Sequence, residues 1–347
     1  MPDLFDISLR RQLYIEGFKD DSLRLAPDLI IKVETSVNRA LKSIGNREIS
    51  DLNKGELQAL LVKISKGLGE ILNSFSIEFF AFLRKFMKVD QQLSLRVFAS
   101  YFASPDKDNI KPLSIEKAIQ YTQDNYEPSD AKALLGVSSA LSVTALWKRI
   151  KNLTLQTNGL TLQKYLQSYF VHIANQITGV VSRAWSNKLA TRELLENLFL
   201  KSTGALGGFT AGSASVFKRL TGQLGSIIET AIGFVSSMVS SAVSSTFVSQ
   251  YMWNSILDTG TTDVCVSRHA NVYNFGDGPL PPAHAGCRSS IVPIEESSSY
   301  DNNSFADWFK GQPSALRGDV GDYANRRFKP RQLKLKSLPS KINLILT

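Results

Sequence analysis

"IIETAIGFVSSMVSSAVSSTFVSQYMWNSIL", residues 227–257, carries no charged side chain after Glu229. A run of this length raises the question of a membrane span. Its pattern points to packing instead. Ile228, Ile232, Val235, Val239 and Ala242 step by four, three, four and three residues, the spacing of an interhelical seam. The other side carries Ser236, Ser237, Ser240, Ser241, Ser244 and Ser245, a poor surface for lipid. The run predicts a long uncharged helix over 214–256, buried or packed between helices. Lipid contact is left only to some other conformational state.

Upstream, the same logic predicts a helical body over 1–201. Leu57, Leu60, Leu61, Ile64, Leu68, Ile71, Leu72 and Phe75 recur at helical spacing, while Lys63, Lys66 and Glu70 fall off the stripe. The aromatic run "FSIEFFAFLRKFMKV" that follows reads as core. "SPDKDNIKP" and "NYEPSD" break the pattern as loops, with Ser129 or Asp130 placed to cap a helix carrying Leu134, Leu135, Leu141, Leu146 and Trp147. A further helix is predicted from about Leu162 to Leu200, in which His172 has no ligand-type neighbour one turn away. Residues 202–213 are glycine-rich, which disfavours helix and predicts a connection.

The chain has 347 residues, 43% hydrophobic and 20% charged, enough to bury a core and inconsistent with wholesale disorder. Two cysteines exclude a disulfide-dense secreted scaffold. The N-terminus, "MPDLFDISLRRQLYIEGFKDD", lacks the apolar stretch of a signal peptide. The net charge of +9 suits an acidic partner and says nothing of fold. Much of it lies in the C-terminal extension, 296–347, where residues 301–341 hold nine basic and four acidic side chains. Arg326, Arg327, Lys329, Arg331, Lys334 and Lys336 are candidates for contact with DNA or an acidic partner. A solvated tail is the plainer reading of the same residues.

Beyond Leu257 the texture changes. Turn formers multiply around short β-prone pieces, "NVYNF" and "SSIVPI", predicting a small α+β module over 257–295 on a mainly α, extended helical body. The segment "FADWFKGQPSALRGDVGDYANRRF" is expected to be helical in part. Four of the chain's five Cys and His residues fall in the module: Cys265, His269, His284 and Cys287. Two sulfurs and two imidazoles suit tetrahedral zinc. A Cys265–Cys287 disulfide and a loop held by hydrogen bonds alone are the alternatives. Catalytic signatures are missing: "PAHAGC" lacks the glutamate and second cysteine of a zinc deaminase, and no phosphate-binding glycine loop is present.

The residues "LDTGTTDVCVSRHANVYNFGDGPLPPAHAGCRSSIVP" resemble the C-terminal module of the phage Mu protein F-like head morphogenesis family, minor head proteins of tailed bacteriophages. Asp258, Thr261, Cys265, Tyr273, Pro281, Pro282, His284, Cys287, Arg288 and Ser289 fall on the family pattern. The similarity spans about Ile227 to Arg327. Thr262 and Ser289 stand where four-cysteine relatives keep cysteine, and Gly260 stands where they keep arginine. Zinc would therefore need His269 to complete Cys265, His284 and Cys287. Arg288 is expected to close the loop on Asp258 or on main-chain carbonyls.

The resemblance implies a structural protein with no catalytic residues, made in the host cytoplasm and carried in the virion, in the capsid interior or at the portal. It implies a role in head morphogenesis and in DNA packaging or ejection. Expected partners are the portal, the major capsid protein, packaged DNA bound without sequence preference and further copies of the chain, with membrane contact confined to ejection. The competing expectation is a metal-dependent enzyme, a nuclease or transferase, built on the Cys/His module.

Overall fold

In a computed structural model, residues 3–126, 141–200, 215–257, 261–295, 305–314, 316 and 345–346 are described. Asp258, Gly260, residues 202–213, Ser129, Asp130 and the basic residues from Arg326 to Lys336 lie outside them. The helices are α1 (Leu4–Ser22), α2 (Leu25–Lys42), α3 (Lys54–Ala103), α4 (Ile115–Asn125), α5 (Val143–Asn152), α6 (Leu162–Ser186), α7 (Thr191–Leu195) and α8 (Val216–Ser244). A small module follows: β1 (Gln250–Asn254), α9 (Asp263–Arg268), β2 (Val272–Asn274) and β3 (Ser290–Ile294), then α10 (Phe305–Lys310). The chain is thus mainly α with a small C-terminal α+β module, as periodicity predicts.

Contacts divide the chain into two compact units, each assembled from separate stretches. One comprises residues 23–81 and 163–228. Here the predicted stripe is observed: Leu57, Leu60, Ile64, Leu68 and Leu72 are buried, and Lys63, Lys66 and Glu70 are exposed. α2 packs against the first half of α3, with Ser36 against Gly67, where a Cβ would meet the serine hydroxyl. The helix expected to reach Leu200 ends at Ser186, then a turn through Lys188 at φ 51° leads to α7. Lys188 N and Leu189 N close this turn on Trp185 and Ala184 carbonyls, a local stop that helical periodicity does not report. His172 is exposed and stacks on Tyr169, an ordinary helical histidine.

The other unit comprises residues 1–22, 82–162 and 229–347. Its core contains a reversal of the sequence pattern. α1 carries Arg10, Arg11, Gln12, Glu16 and Lys19, yet every residue from Ile7 to Lys19 is buried. Buried charge is tolerated only when paired and hydrogen-bonded. Arg11 pairs with Asp90 and donates to Ser94 Oγ (2.8 Å) and Ser236 Oγ (3.3 Å). Arg10 donates to Gln312 Oε1 (2.8 Å), and Lys19 to Glu16 (2.6 Å). Phe18 adds the apolar part, stacking on Phe82 and Phe86.

The residues from Thr230 to Thr246 are buried on all sides, serines included. Of the hydroxyls on that side, Ser236 meets Arg11 of α1 and Asp90 of α3, and Ser245 bonds back to Ala242 O of its own helix. α8 is long and apolar enough to cross a membrane by composition, but it is a core helix here. It ends at Ser244, not at 256: Gln250–Asn254 is the central strand of an antiparallel sheet ordered β2-β1-β3. "QYMWN" is aromatic and β-prone, and no Gly or Pro precedes it to announce the change. Tyr251 faces Tyr273 and Pro293, and Trp253 faces Ile291.

Gly278 fits beneath this sheet because it has no side chain. A Cβ there would run into the Tyr251 hydroxyl and Tyr273 Cβ and lie 2.7 Å from Tyr273 Cγ. The Tyr251 hydroxyl donates to Pro279 O at 2.7 Å, so it cannot yield freely. Gly278→Ala is expected to destabilise the protein by about 2 kcal/mol, read as an earlier denaturant midpoint with unchanged slope.

Candidate functional site

The site is built at the end of β1. Trp253, Cys265 and Cys287 form a buried cluster, against which Tyr273 and Ala283 pack. The Trp253 indole N–H donates to Ser255 Oγ (2.9 Å), and Ser255 donates onward to Cys265 O (2.7 Å). Ser289 Oγ lies 3.0 Å from Ser255 Oγ. With its proton committed to the carbonyl, Ser255 accepts from Ser289. Ser289 thus braces the loop, and its side chain also acts on both sulfurs, favouring their thiolates. Thr261 donates to Ile256 O, and Thr262 opens α9, where its carbonyl accepts from Cys265 N and Val266 N. That short helix turns Cys265 inward.

The second half approaches from the Pro281–Cys287 loop, whose Pro281–Pro282 peptide is cis. Gly286 has φ +68°, a left-handed conformation suited to glycine, and its N–H donates to Thr230 Oγ1 (3.0 Å). Cys287 N–H donates to His284 O (3.2 Å), and Lys19 Nζ donates to Cys287 O (3.5 Å). The loop is held by α1 and α8 of the same compact unit.

These constraints bring Cys265, His284 and Cys287 together, with all three ligand atoms within 4.8 Å of one another. Cys265 Sγ lies 3.7 Å from Cys287 Sγ and 3.2 Å from His284 Nε2. A tetrahedral zinc–thiolate site with bonds of about 2.3 Å requires sulfurs about 3.8 Å apart and a sulfur–nitrogen separation of about 3.6 Å. The sulfur pair fits as it stands, and the imidazole needs to retreat by a few tenths of an ångström. His284 Nδ1 lies 2.9 Å from Ala285 O, so it carries the proton and leaves Nε2 as donor atom toward the sulfurs. The group could hold a metal ion. Both thiols are free, with the sulfurs 3.7 Å apart and no disulfide between them in this structure.

The sulfurs titrate as a pair. The hydrogen bond from Cys265, helped by main-chain groups at Ala283 and Ser289, favours the Cys287 thiolate and holds its pKa well below the ordinary thiol range despite burial. The same hydrogen bond, together with burial, pushes Cys265 far up. A metal-binding dithiol needs this arrangement, in which one thiolate is favoured and a bound cation would displace the remaining proton.

His269 does not join the group, which corrects the expected four-ligand set. It sits just past the end of α9, its N–H bonds to the Cys265 and Val266 carbonyls, and its Nδ1 accepts Ser255 N–H at 3.1 Å. Because the helix stops at Arg268, the four-residue spacing from Cys265 does not keep His269 on Cys265's face. Burial lowers its pKa, which preserves the neutral acceptor. Arg288 borders the recess beside Cys265 and His284. Its charge acts on Glu229 of α8, whose carboxyl burial pushes up while Lys19 and Arg288 pull it down.

Tyr273 packs against the Trp253–Cys265–Cys287 cluster, and Pro281 and Pro282 are buried beside it in the loop. Ser255, Trp253 and Lys19 are the participants that sequence motifs did not single out. A Trp–Asn–Ser run has no signature of its own, and Lys19 is distant in sequence. Comparison with protein-family models, curated proteins and solved structures finds no match to the chain.

Proposed function

We propose that the chain is a structural protein, a minor head component of a tailed phage, acting in head morphogenesis at or near the portal. Its C-terminal module is a zinc-stapled platform seated on the helical core. One observation carries the reading: the described residues of the phage Mu F-like pattern serve to close the module, not to expose a reactive atom. Cys265 is 2% exposed and Cys287 3%, too enclosed for a nucleophile that must meet a substrate. Thr261 spends its hydroxyl on the main chain at Ile256, and Ser289 is engaged with the neighbouring Ser255 hydroxyl and with the buried sulfurs. The basic residues Arg326 to Lys336 supply the non-specific contact to packaged DNA, and the protein resides in the virion.

Co-purification tests this. The tagged chain, expressed in cells that also make the phage portal and major capsid protein, is expected to come down with portal rings or capsid shells in reduced form. Recovery of the chain alone, with rings and shells intact in the same lysate, overturns the proposal.

A second reading has one observation in its favour. Three protein ligands, with a recess bordering Cys265 and His284, match the open coordination of catalytic zinc rather than the closed coordination of structural zinc. A metal-dependent turnover lost in His284→Ala, with assembly intact, would establish it.

A further inference from the structure

The groove between α2 and the first half of α3 is lined by basic side chains and by two isoleucines, with Ser36 and Gly67 where the helices come closest. Lys32 and Arg39 stand on the α2 side, Lys63 and Lys66 on the α3 side, and Glu70 is the single acid lining it. Among the described residues none of the four cations takes part in an ion pair. The groove has a volume of about 530 Å³, and Ile31 and Ile71 both line it, Ile31 at 58% exposed. A single exposed isoleucine is ordinary on a protein surface, but two isoleucines lining the same groove as four cations that have no ion-pair partner among the described residues make a composite surface.

We infer that this groove docks an acidic, amphipathic helical segment of a partner protein. The apolar face of such a helix covers Ile31 and Ile71, and its flanking carboxylates meet the cations on both sides. The spacing suits a helix. Lys32 and Arg39 are two turns apart, about 10 Å along the axis, and Lys63 and Lys66 are one turn apart, about 4.5 Å. Glutamates at one-turn and two-turn intervals on a bound helix repeat these distances. A nucleic-acid backbone would satisfy the cations but bring nothing apolar to Ile31 and Ile71. A second copy of the same groove would set like charges against each other. Exposed ion pairs contribute little individually, so binding is expected to be modest and to weaken with salt.

The test uses the full chain and three labelled probes. One is a helical peptide about five turns long with leucine on one face and glutamate flanking it. The second has glutamine at each glutamate, and the third is a DNA duplex of about 20 base pairs. By fluorescence anisotropy the acidic peptide is expected to bind about tenfold more tightly than the glutamine peptide. Lys63→Glu combined with Lys66→Glu should weaken it about tenfold, and Ile31→Ser about threefold. Lys32→Gln combined with Arg39→Gln, on the other helix, should weaken it as well, which guards against a fault in either variant alone. All are surface changes, and circular dichroism and Tm should match the parent. Equal affinity for the acidic and glutamine peptides overturns the inference. So does duplex binding that falls with the Lys63 and Lys66 changes and ignores Ile31→Ser, which assigns the groove to phosphate.

Discussion

Arg11→Ala is expected to destabilise the protein by about 3–5 kcal/mol, among the largest effects of any single substitution. Arg11 is 5% exposed and Asp90 fully buried, so the truncation strands a carboxylate with no counter-charge. Ser94 and Ser236 remain nearby, but hydroxyls do not replace a guanidinium. The pH dependence follows from Asp90. Burial pushes its pKa up, and the Arg11 charge with the Ser236, Arg11 and Ser94 hydrogen bonds pulls it back. Without Arg11 the folded-state pKa rises further above the unfolded value. The loss is therefore full above the variant's folded-state pKa and disappears as pH falls below the parent's, itself above the ordinary aspartate value, where the carboxyl is neutral in both folded proteins. Urea melts of parent and variant across that range measure it. The double change Arg11→Met with Asp90→Leu should recover most of the loss, since an apolar pair leaves no buried charge unpaired. A double variant as unstable as Arg11→Ala would mean that shape, not charge, sets the cost.

That pair also shows where sequence reading stops. The stripe on α3 was legible because each apolar residue reports its own burial at a fixed spacing. The same arithmetic applied to α1 gives a polar helix, because a buried arginine is permitted only by its partner, and Asp90 lies 79 residues away. Pairing at that distance leaves no periodic trace. Likewise the serines of α8 read as the polar side of a helix, whereas all are buried and Ser236 serves Arg11 of α1.

The module divides in the same way. Its short strands were legible from turn residues and β-prone runs on either side, and Cys265, His284 and Cys287 from their scarcity elsewhere. Two features were not. The central strand β1 continues an uncharged helix without a breaker, so only pairing with β2 and β3 fixes its state. His269 keeps ligand spacing from Cys265, but α9 is six residues long and ends before it. Spacing rules presume that the element continues, and the hydrogen bond to Ser255 N exists because it does not.

Cys287→Ser and His269→Ala separate the two versions of the metal centre, and their expected outcomes differ widely. The reduced parent is expected to bind one zinc ion per chain, and at free zinc about 100 times Kd to gain about 2.7 kcal/mol against unfolding. Cys287→Ser removes the thiolate that forms most readily and should weaken binding by about 100-fold or more, abolishing the zinc-dependent rise in Tm. His269→Ala should leave stoichiometry and affinity unchanged, because its Nδ1 already accepts from Ser255 N and it lies outside the three-atom group. Its cost is about 1 kcal/mol from one lost hydrogen bond, with or without zinc. Cobalt substitution provides the spectral check: sulfur-to-cobalt charge transfer in the parent and in His269→Ala, and its reduction in Cys287→Ser. Binding should release protons and weaken as pH falls, since Cys265 holds its proton until a cation displaces it. Loss of zinc in His269→Ala would restore the four-ligand set, and zinc-independent Tm in the parent would leave the buried sulfurs as packing alone.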